Sequence, residues 1–457
     1  MVFSSLVFIF RFLPLFFIIY YLTPARFRNF VLFVGSIIFY AFGELKYTAL
    51  ILLSVIVNYL IARLMDAKSA GKGRRKLLLV FDIIYNVGIL VVFKYLAFIV
   101  SSINDLSGAS LPVPELTLPL GISFYTFQIM SYVIDVYRKE ADAEKSLIDM
   151  GTYLLMFPQL IAGPIVVYSD AALALKARKV DLSNFEEGLK IFILGLGSKV
   201  LLANPFGSIW DSTGMGGYDV MSTPLAWIGA IAYTFQIYFD FNGYSLMAIG
   251  LGRMLGFSFP KNFDHPYTSR SVTEFWKRWH ISLTSWFRQY LYIPMGGNRK
   301  GKLRTYLNLL TVWFITGLWH GASWNFVLWG LYYFVLIAIE RLFLGKLLKR
   351  SYVLSRIYTM TAVISGWVIF AVEDLSHVLV YLSRMFTLHY SDDYRENLIT
   401  IIILFVAGTI FSTPVFSPWF RRNKNKAVGI IVLFIIFWSS VTMLVDSAYN
   451  PFLYFRF

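Results

Sequence analysis

The five histidines are His265, His280, His320, His377 and His389, and cysteine is absent. The missing thiol excludes disulfides, cysteine-ligated zinc, a catalytic thiolate and an acyl-cysteine intermediate. His320 stands in Thr316-Gly317-Leu318-Trp319-His320-Gly321-Ala322-Ser323-Trp324-Asn325, where one apolar run meets the next. Gly317 and Gly321 are four residues apart, a spacing that lets a second helix approach closely. An ionisable residue in such a place is costly unless it faces a cavity or a partner, which makes it a functional candidate. The plainer reading is a hydrogen-bonded structural histidine. His280 lies in Phe275-Trp276-Lys277-Arg278-Trp279-His280-Ile281-Ser282-Leu283-Thr284-Ser285-Trp286-Phe287-Arg288. Helical spacing puts Trp276, His280, Leu283 and Phe287 on one face and Lys277, Arg278, Ser285 and Arg288 largely opposite. That pattern predicts an amphipathic helix with a basic face at a membrane interface, with His280 turned inward. An aromatic anchor helix with an incidental histidine fits equally. His265, before Pro266, reads as a solvated or capping residue. His377 and His389 follow the acidic pair Glu373-Asp374, and the histidines show no metal-ligand spacing.

A histidine deep in an apolar chain, with no cysteine and no metal set, suggests proton transfer: a general base that deprotonates a hydroxyl, which then attacks an activated acyl donor. Asp240 and Lys199 are lone charges inside apolar runs. They pair with one another, or Asp240 orients a histidine. Pro294-Met295-Gly296-Gly297-Asn298-Arg299-Lys300-Gly301 is glycine-rich and basic, able to cradle a phosphate beside Arg299 and Lys300, although a plain turn explains it too. It lacks the P-loop pattern. The competing class is a transporter, which also uses broken helices and midplane polar residues. No internal repeat is visible, and the polar signals gather in 262–325, which favours an enzyme.

The elements that must hold these residues follow from composition. Of 457 residues, 58% are hydrophobic and 15% charged, against roughly 25% charged in soluble domains. Disorder and a soluble enzyme are both excluded, leaving an all-α polytopic membrane protein. Apolar runs cover 2–22, 30–43, 47–63, 77–100, 119–137, 189–203, 225–250, 307–320, 322–340, 357–372, 397–416 and 427–445. They predict about twelve crossings, within a range of 11–13. The first run has no basic segment before it and no cleavage site after it, so it reads as a span. Loop 63–76 and segment 253–306 are basic, whereas 101–118 and 204–223 carry no Lys or Arg. The former are therefore expected in the cytoplasm and the latter outside, with both termini outside. This accounts for the net charge of +15 without a nucleic acid partner. A basic face meeting an anionic cytosolic molecule is a second account of it. The stretch 151–168, with Phe157-Pro158-Gln159 and Ala162-Gly163-Pro164, is apolar but flanked by basic loops. It predicts a broken or re-entrant helix packed inside protein.

Three motifs carry a resemblance. Glu274 to Leu283, Trp286 to Arg299 (Trp-Phe-Arg-Gln-Tyr-Leu-Tyr-Ile-Pro-Met-Gly-Gly-Asn-Arg) and Thr316 to Ala322 closely resemble the membrane-bound O-acyltransferase superfamily, in its bacterial alginate O-acetyltransferase branch. Further matches are Met1 to Ser5, Leu118 to Gln128, Phe157 to Leu160 with Ala162 to Ile165, and Asn450 to Phe457. The resemblance implies one integral-membrane domain over 1–457, with its motif-bearing core at about 118–345. It also implies tilted, re-entrant and interfacial helices around a central tunnel that holds the histidines. By resemblance His320 is catalytic and His280 is its functional companion. Asp240, Asn325, Trp276, Trp279, Arg299 and Lys300 are expected to support or bind the donor or acceptor, with no metal and no bound cofactor. The implied donor is acetyl-CoA or an acyl carrier protein thioester, entering from the cytoplasm. The implied acceptor is a cell-surface polysaccharide or an extracytoplasmic relay protein, and the site of residence a bacterial cytoplasmic (inner) membrane. D-Alanyl transfer to teichoic acid and O-acetylation of peptidoglycan stay open, because the histidine pair would be the same. Asn242, Leu246, Gln289 and Val167 depart from the branch pattern and leave both histidines intact.

Overall fold

The computed structural model describes residues 2–161, 163–391, 393, 398–446 and 453. Met1, Ala162 and the closing motif 450–457 apart from Leu453 lie outside the described residues. Every regular element among the described residues is helical. The chain divides into two compact units, Met1–Phe192 with Met247–Pro260 and Ile193–Leu246 with Lys261–Phe457.

The first unit begins with α1 (Phe8–Leu22) and α2 (Arg28–Asp66). The runs 30–43 and 47–63, expected as two spans, form this one helix, broken only at Glu44 (φ −144°, ψ 58°). Its 39 residues would extend about 58 Å if straight, nearly twice the roughly 30 Å hydrocarbon core of a bilayer. Next come α3 (Lys72–Ser107) and α4 (Ile122–Arg138), which is buried over most of its surface. Gly121 opens α4 at φ +74°, and a Cβ there would stand 2.7 Å from the Leu160 carbonyl oxygen. Glycine is required for both reasons.

The broken segment follows. Helix α5 (Leu147–Leu155) stops at Met156 (φ −51°, ψ 117°), and a single turn, Phe157–Leu160, succeeds it. Proline at 158 bars a continuous helix. The freed polar groups find local partners. The Phe157 amide donates to Ser36 Oγ (3.1 Å), Gln159 Nε2 donates to the Tyr153 carbonyl, and Tyr153 Oη donates to the Val166 carbonyl (3.0 Å). Irregular backbone is thus buried and satisfied inside protein, as the sequence predicts. Helix α6 (Tyr168–Lys176), the start of α7 (Leu182–Thr213) and the later segment Met247–Pro260 complete this unit.

The second unit takes the rest of α7 and most of α8 (Thr223–Met254). It continues with α9 (Val272–Arg278), α10 (Ile281–Phe287) and α11 (Lys302–His320). Then come α12 (Trp324–Leu348), α13 (Tyr352–Ala371), α14 (Leu375–Phe386), α15 (Leu398–Ser412), α16 (Phe416–Asn423) and α17 (Ala427–Asp446). Its core is aromatic, with Phe275, Trp276, Trp279, Trp313, Trp329, Tyr333 and Trp367 buried together. Trp279 and Trp367 lie 4.7 Å apart and Trp276 and Trp313 4.9 Å apart, centroid to centroid. Such pairs add about 0.5–1.5 kcal/mol each beyond the area they bury.

Each of the twelve apolar runs is helical over most of its described residues, but fewer helices than runs are long and apolar enough to cross a membrane. Six pass on length and composition: Ala25–Asp66, Lys72–Ser107, Leu182–Thr213, Trp324–Leu348, Tyr352–Ala371 and Ala427–Asp446. Leu398–Ser412 with Phe416–Asn423, bent by 66°, makes a seventh if the pair is one span. The difference from the expected twelve arises where two runs merge in α2, where α1, α4 and α15 are short, and where polar residues interrupt α8 and the start of α11.

Candidate active site

His320 is the last residue of α11 and is 4% exposed. Its ring is walled by Trp329 (4.9 Å between centroids), Trp319 (5.0 Å) and Phe370 (5.2 Å). Helices α11 and α12 touch backbone to backbone, because a Cβ on Gly317 would strike the Phe326 carbonyl and one on Gly330 the Trp313 carbonyl. This is the close approach that Gly317 predicts, with α12 as the partner. Gly321 behaves differently from that expectation: its backbone is extended (φ −167°, ψ 156°) and ends the helix right after the histidine. Asn325 Nδ2 donates to the carbonyls of Ile369 (3.3 Å) and Phe370 (3.0 Å). It ties the start of α12 to the end of α13, which supplies Phe370.

His280 does not lie within a continuous amphipathic helix. Helix α9 ends at Arg278, and His280 takes a left-handed conformation (φ 44°, ψ 56°) before α10 begins. The cause lies in the preceding loop. Asn262 accepts the Ile281 amide on its carbonyl (2.9 Å) and the Ser282 amide on its side chain (3.3 Å), bonds that replace those of a continuing helix. The inward face survives the break: Trp276, His280, Leu283 and Phe287 are buried, while Lys277, Ser285 and Arg288 are exposed.

The same asparagine determines the state of the imidazole. Its Oδ1 receives the Ser282 amide and the Ser282 hydroxyl (2.9 Å), and Nδ2 donates to Ser245 Oγ on α8 (3.1 Å). Oδ1 is therefore an acceptor, so His280 Nδ1, 3.1 Å away, carries the hydrogen and donates it. Nε2 is then the acceptor nitrogen of the neutral ring. Burial pushes the His280 imidazole down to about 3, because a charged ring would be poorly solvated there. His280 lies outside the candidate spans, 1% exposed, with Phe241 edge-on at 4.6 Å and Trp319 at 6.0 Å. Trp319 thus packs against both histidines and brings them to one place.

The remaining sequence candidates divide. Trp276 packs on Trp329 (5.4 Å), behind the ring that walls His320, and Trp279 stacks among Phe263, Phe275 and Trp367. Both belong to the buried aromatic core. Asp240 pairs with Lys199 at 2.7 Å, both side chains buried, and its Oδ2 accepts the Leu453 amide (2.9 Å). The expected ion pair is present, and Asp240 is bound to Lys199 and not to a histidine. Arg299 and Lys300 are exposed in the turn before α11, whose shape Asn308 Nδ2 holds by donating to the Gly297 carbonyl (2.9 Å). They stand at the opposite end of α11 from His320, about 27 Å along its axis. His265 is half-buried instead of solvated, left-handed at φ 45°, with Nδ1 3.3 Å from the Ser412 carbonyl.

Sequence reasoning did not single out Asn262, Ser245, Trp319 or Glu340. Glu340, buried in the last third of α12, accepts the Val272 amide (2.6 Å) and, from Thr273, the amide (2.9 Å) and hydroxyl (2.6 Å). It fixes the first turn of the helix that leads to His280. The only sequence signal for Glu340 was a lone acid at the end of a long apolar run.

The sequence model described as MBOAT, membrane-bound O-acyltransferase family, matches residues 37–379. The chain is 38% identical over 488 residues to a Pseudomonas putida protein named "Probable alginate O-acetylase AlgI", covering all of both chains. It is 32% identical over 460 residues to the peptidoglycan O-acetyltransferase of Helicobacter pylori, covering 91% of this chain and 87% of that one. Against the teichoic acid D-alanyltransferase of Streptococcus thermophilus it is 30% identical over 248 residues, covering 50% and 58%.

Proposed function

Because this chain belongs to the membrane-bound O-acyltransferase family, a multi-pass membrane enzyme that transfers acyl groups to hydroxyls, we propose that it O-acetylates a cell-surface polysaccharide, directly or through an extracytoplasmic relay protein. The donor is a cytoplasmic acetyl thioester, acetyl-CoA or an acyl carrier protein, and the membrane is the bacterial cytoplasmic one. The observation that carries this reading is the pair of buried histidines, His280 and His320, packed on one tryptophan in a chain similar over its full length to O-acetylases.

His320 takes the proton of the acceptor hydroxyl as that oxygen attacks the thioester carbonyl carbon. The new C–O bond forms, the C–S bond breaks, and the proton passes from His320 to the departing thiolate. Neutral His280, held by Asn262, presents Nε2 as an acceptor that positions the acceptor hydroxyl or the donor. Asn325 keeps Phe370 against His320. Arg299 and Lys300, at the cytoplasmic mouth, meet the donor's phosphates.

The test is thioester consumption and acetyl transfer by the purified protein in nanodiscs, given acetyl-CoA and a crude surface-glycan fraction. Loss of about a hundredfold or more in His320→Ala supports the base assignment. Turnover indifferent to His320→Ala sinks it. The second reading, D-alanyl transfer, rests on the similarity over half the chain. It predicts transfer from a D-alanyl carrier-protein thioester and none from acetyl-CoA.

A further inference from the structure

A cleft of about 330 Å³ opens in the second unit where the start of α9 meets the end of α12, lined among others by Arg270, Thr273, Glu274, Glu340, Arg341 and Lys349. Its two carboxylates are turned to structural work. Glu340 holds the α9 amides, and Glu274 bonds Arg278 (2.9 Å) with one oxygen and the Arg270 amide (3.0 Å) with the other. Its three cations are not neutralised in this way. Among the described residues, Arg270, Arg341 and Lys349 have no carboxylate within 4.0 Å. Arg270 is also held in place: Nε donates to Ser355 Oγ (3.3 Å), and the guanidinium lies over the Tyr352 ring at 5.2 Å. A guanidinium fixed through Nε and one face keeps its terminal nitrogens for a planar or tetrahedral anion.

We propose that this cleft is a binding site for a phosphate group, mono- or diester, at the basic face of the membrane. Three cations from two chain segments converge on one concavity, which a row of solvated surface charges would not do. The site is separate from the histidines: from Trp329, against His320, to Arg341 is about 18 Å along α12. The phosphate belongs either to an anionic lipid headgroup or to a water-soluble phosphate compound, and the chemistry of recognition is the same for both.

The test uses the full chain and no catalytic readout, so it stands or falls apart from acetyl transfer. Inorganic pyrophosphate is titrated against protein in phosphatidylcholine nanodiscs. In parallel, native mass spectrometry follows phosphatidylglycerol carried over from discs of phosphatidylcholine with phosphatidylglycerol. Wild type is expected to bind at least one probe. Arg341→Ala/Lys349→Ala weakens that binding about tenfold or more. Arg421→Ala/Arg422→Ala, which removes the same charge from another exposed basic stretch, leaves it nearly unchanged. Pyrophosphate binding alone identifies a soluble ligand, and phosphatidylglycerol retention alone a lipid. Binding of neither probe, or equal losses in the two double variants, overturns the proposal.

Discussion

His280 is kept neutral by burial and kept in one tautomer by Asn262, and these two effects make separable predictions. The folded imidazole titrates near 3, below the usual value of about 6.5. As pH falls from about 6.5 towards 3, the unfolded chain takes up a proton that the folded site refuses, so stability is lost across that window. An acid-side fall in turnover between pH 5 and 7 must therefore come from a group other than His280. Asn262→Asp changes this. A carboxylate 3 Å from Nδ1 favours the imidazolium, which turns Nε2 from acceptor to donor. A rise of about one to three units from about 3 makes turnover fall about tenfold below wild type near pH 5 and recover towards pH 7, as pH rises through the new, higher pKa. A pH–rate profile for Asn262→Asp that superimposes on wild type would show that the tautomer does not matter. At this scale the sequence singled out the two histidines as candidates, because each sits in a motif that can be read locally. It hid Asn262, since Lys261-Asn262-Phe263-Asp264 looks like any polar loop and its bond to His280 spans eighteen residues.

Among the elements, the break between α9 and α10 was the least legible. The apolar positions Trp276, His280, Leu283 and Phe287 keep a helical period straight through it, and only the capture of the Ile281 and Ser282 amides by Asn262 interrupts the ladder. The broken stretch after α5 was legible because Pro158 and the basic flanks declare it. Two charged residues then hold elements together. Glu340→Gln leaves one carbonyl oxygen to serve bonds that a carboxylate shares between two, and removes the charge at the start of α9. The expected cost is about 1–3 kcal/mol, seen as a lowered melting temperature in detergent. An unchanged melting temperature would mean that water replaces these contacts. Lys199 and Asp240 join α7 to α8 through a buried pair. Lys199→Met alone leaves an uncompensated buried carboxylate and should cost about 3–5 kcal/mol, whereas Lys199→Met/Asp240→Leu should recover most of it. A double variant whose loss equals the sum of the two single losses would show that the pair contributes no coupling.

For the molecule as a whole, charge placement was legible and crossing number was not. Basic residues gather in 63–76, 253–306, 341–350 and 421–426, and leave 101–118 and 204–223 without any. An apolar run, however, measures sequence and not helix. Glu44-Leu45-Lys46 interrupts hydropathy for less than one turn, so two runs become one helix, while α4 keeps only 17 residues. No span among the six lies between Thr213 and Trp324, so the six-span count puts residues 212 and 298 on one side whereas the charge rule puts them on opposite sides, and a seventh span would in addition move the C-terminal basic stretch across. The chain has no native cysteine to give background, and single cysteines can be introduced at exposed positions one at a time. In intact cells a membrane-impermeant maleimide is expected to label Ser107→Cys and Ser212→Cys. It should reach Ser69→Cys, Asn298→Cys and Lys346→Cys only after the membrane is opened. Protection of Asn425→Cys would put the last basic stretch in the cytoplasm with them. Labelling of Asn298→Cys from outside would instead move Arg299 and Lys300 away from the cytosol. A cytoplasmic thioester would then have to reach the histidines from the other end of α11.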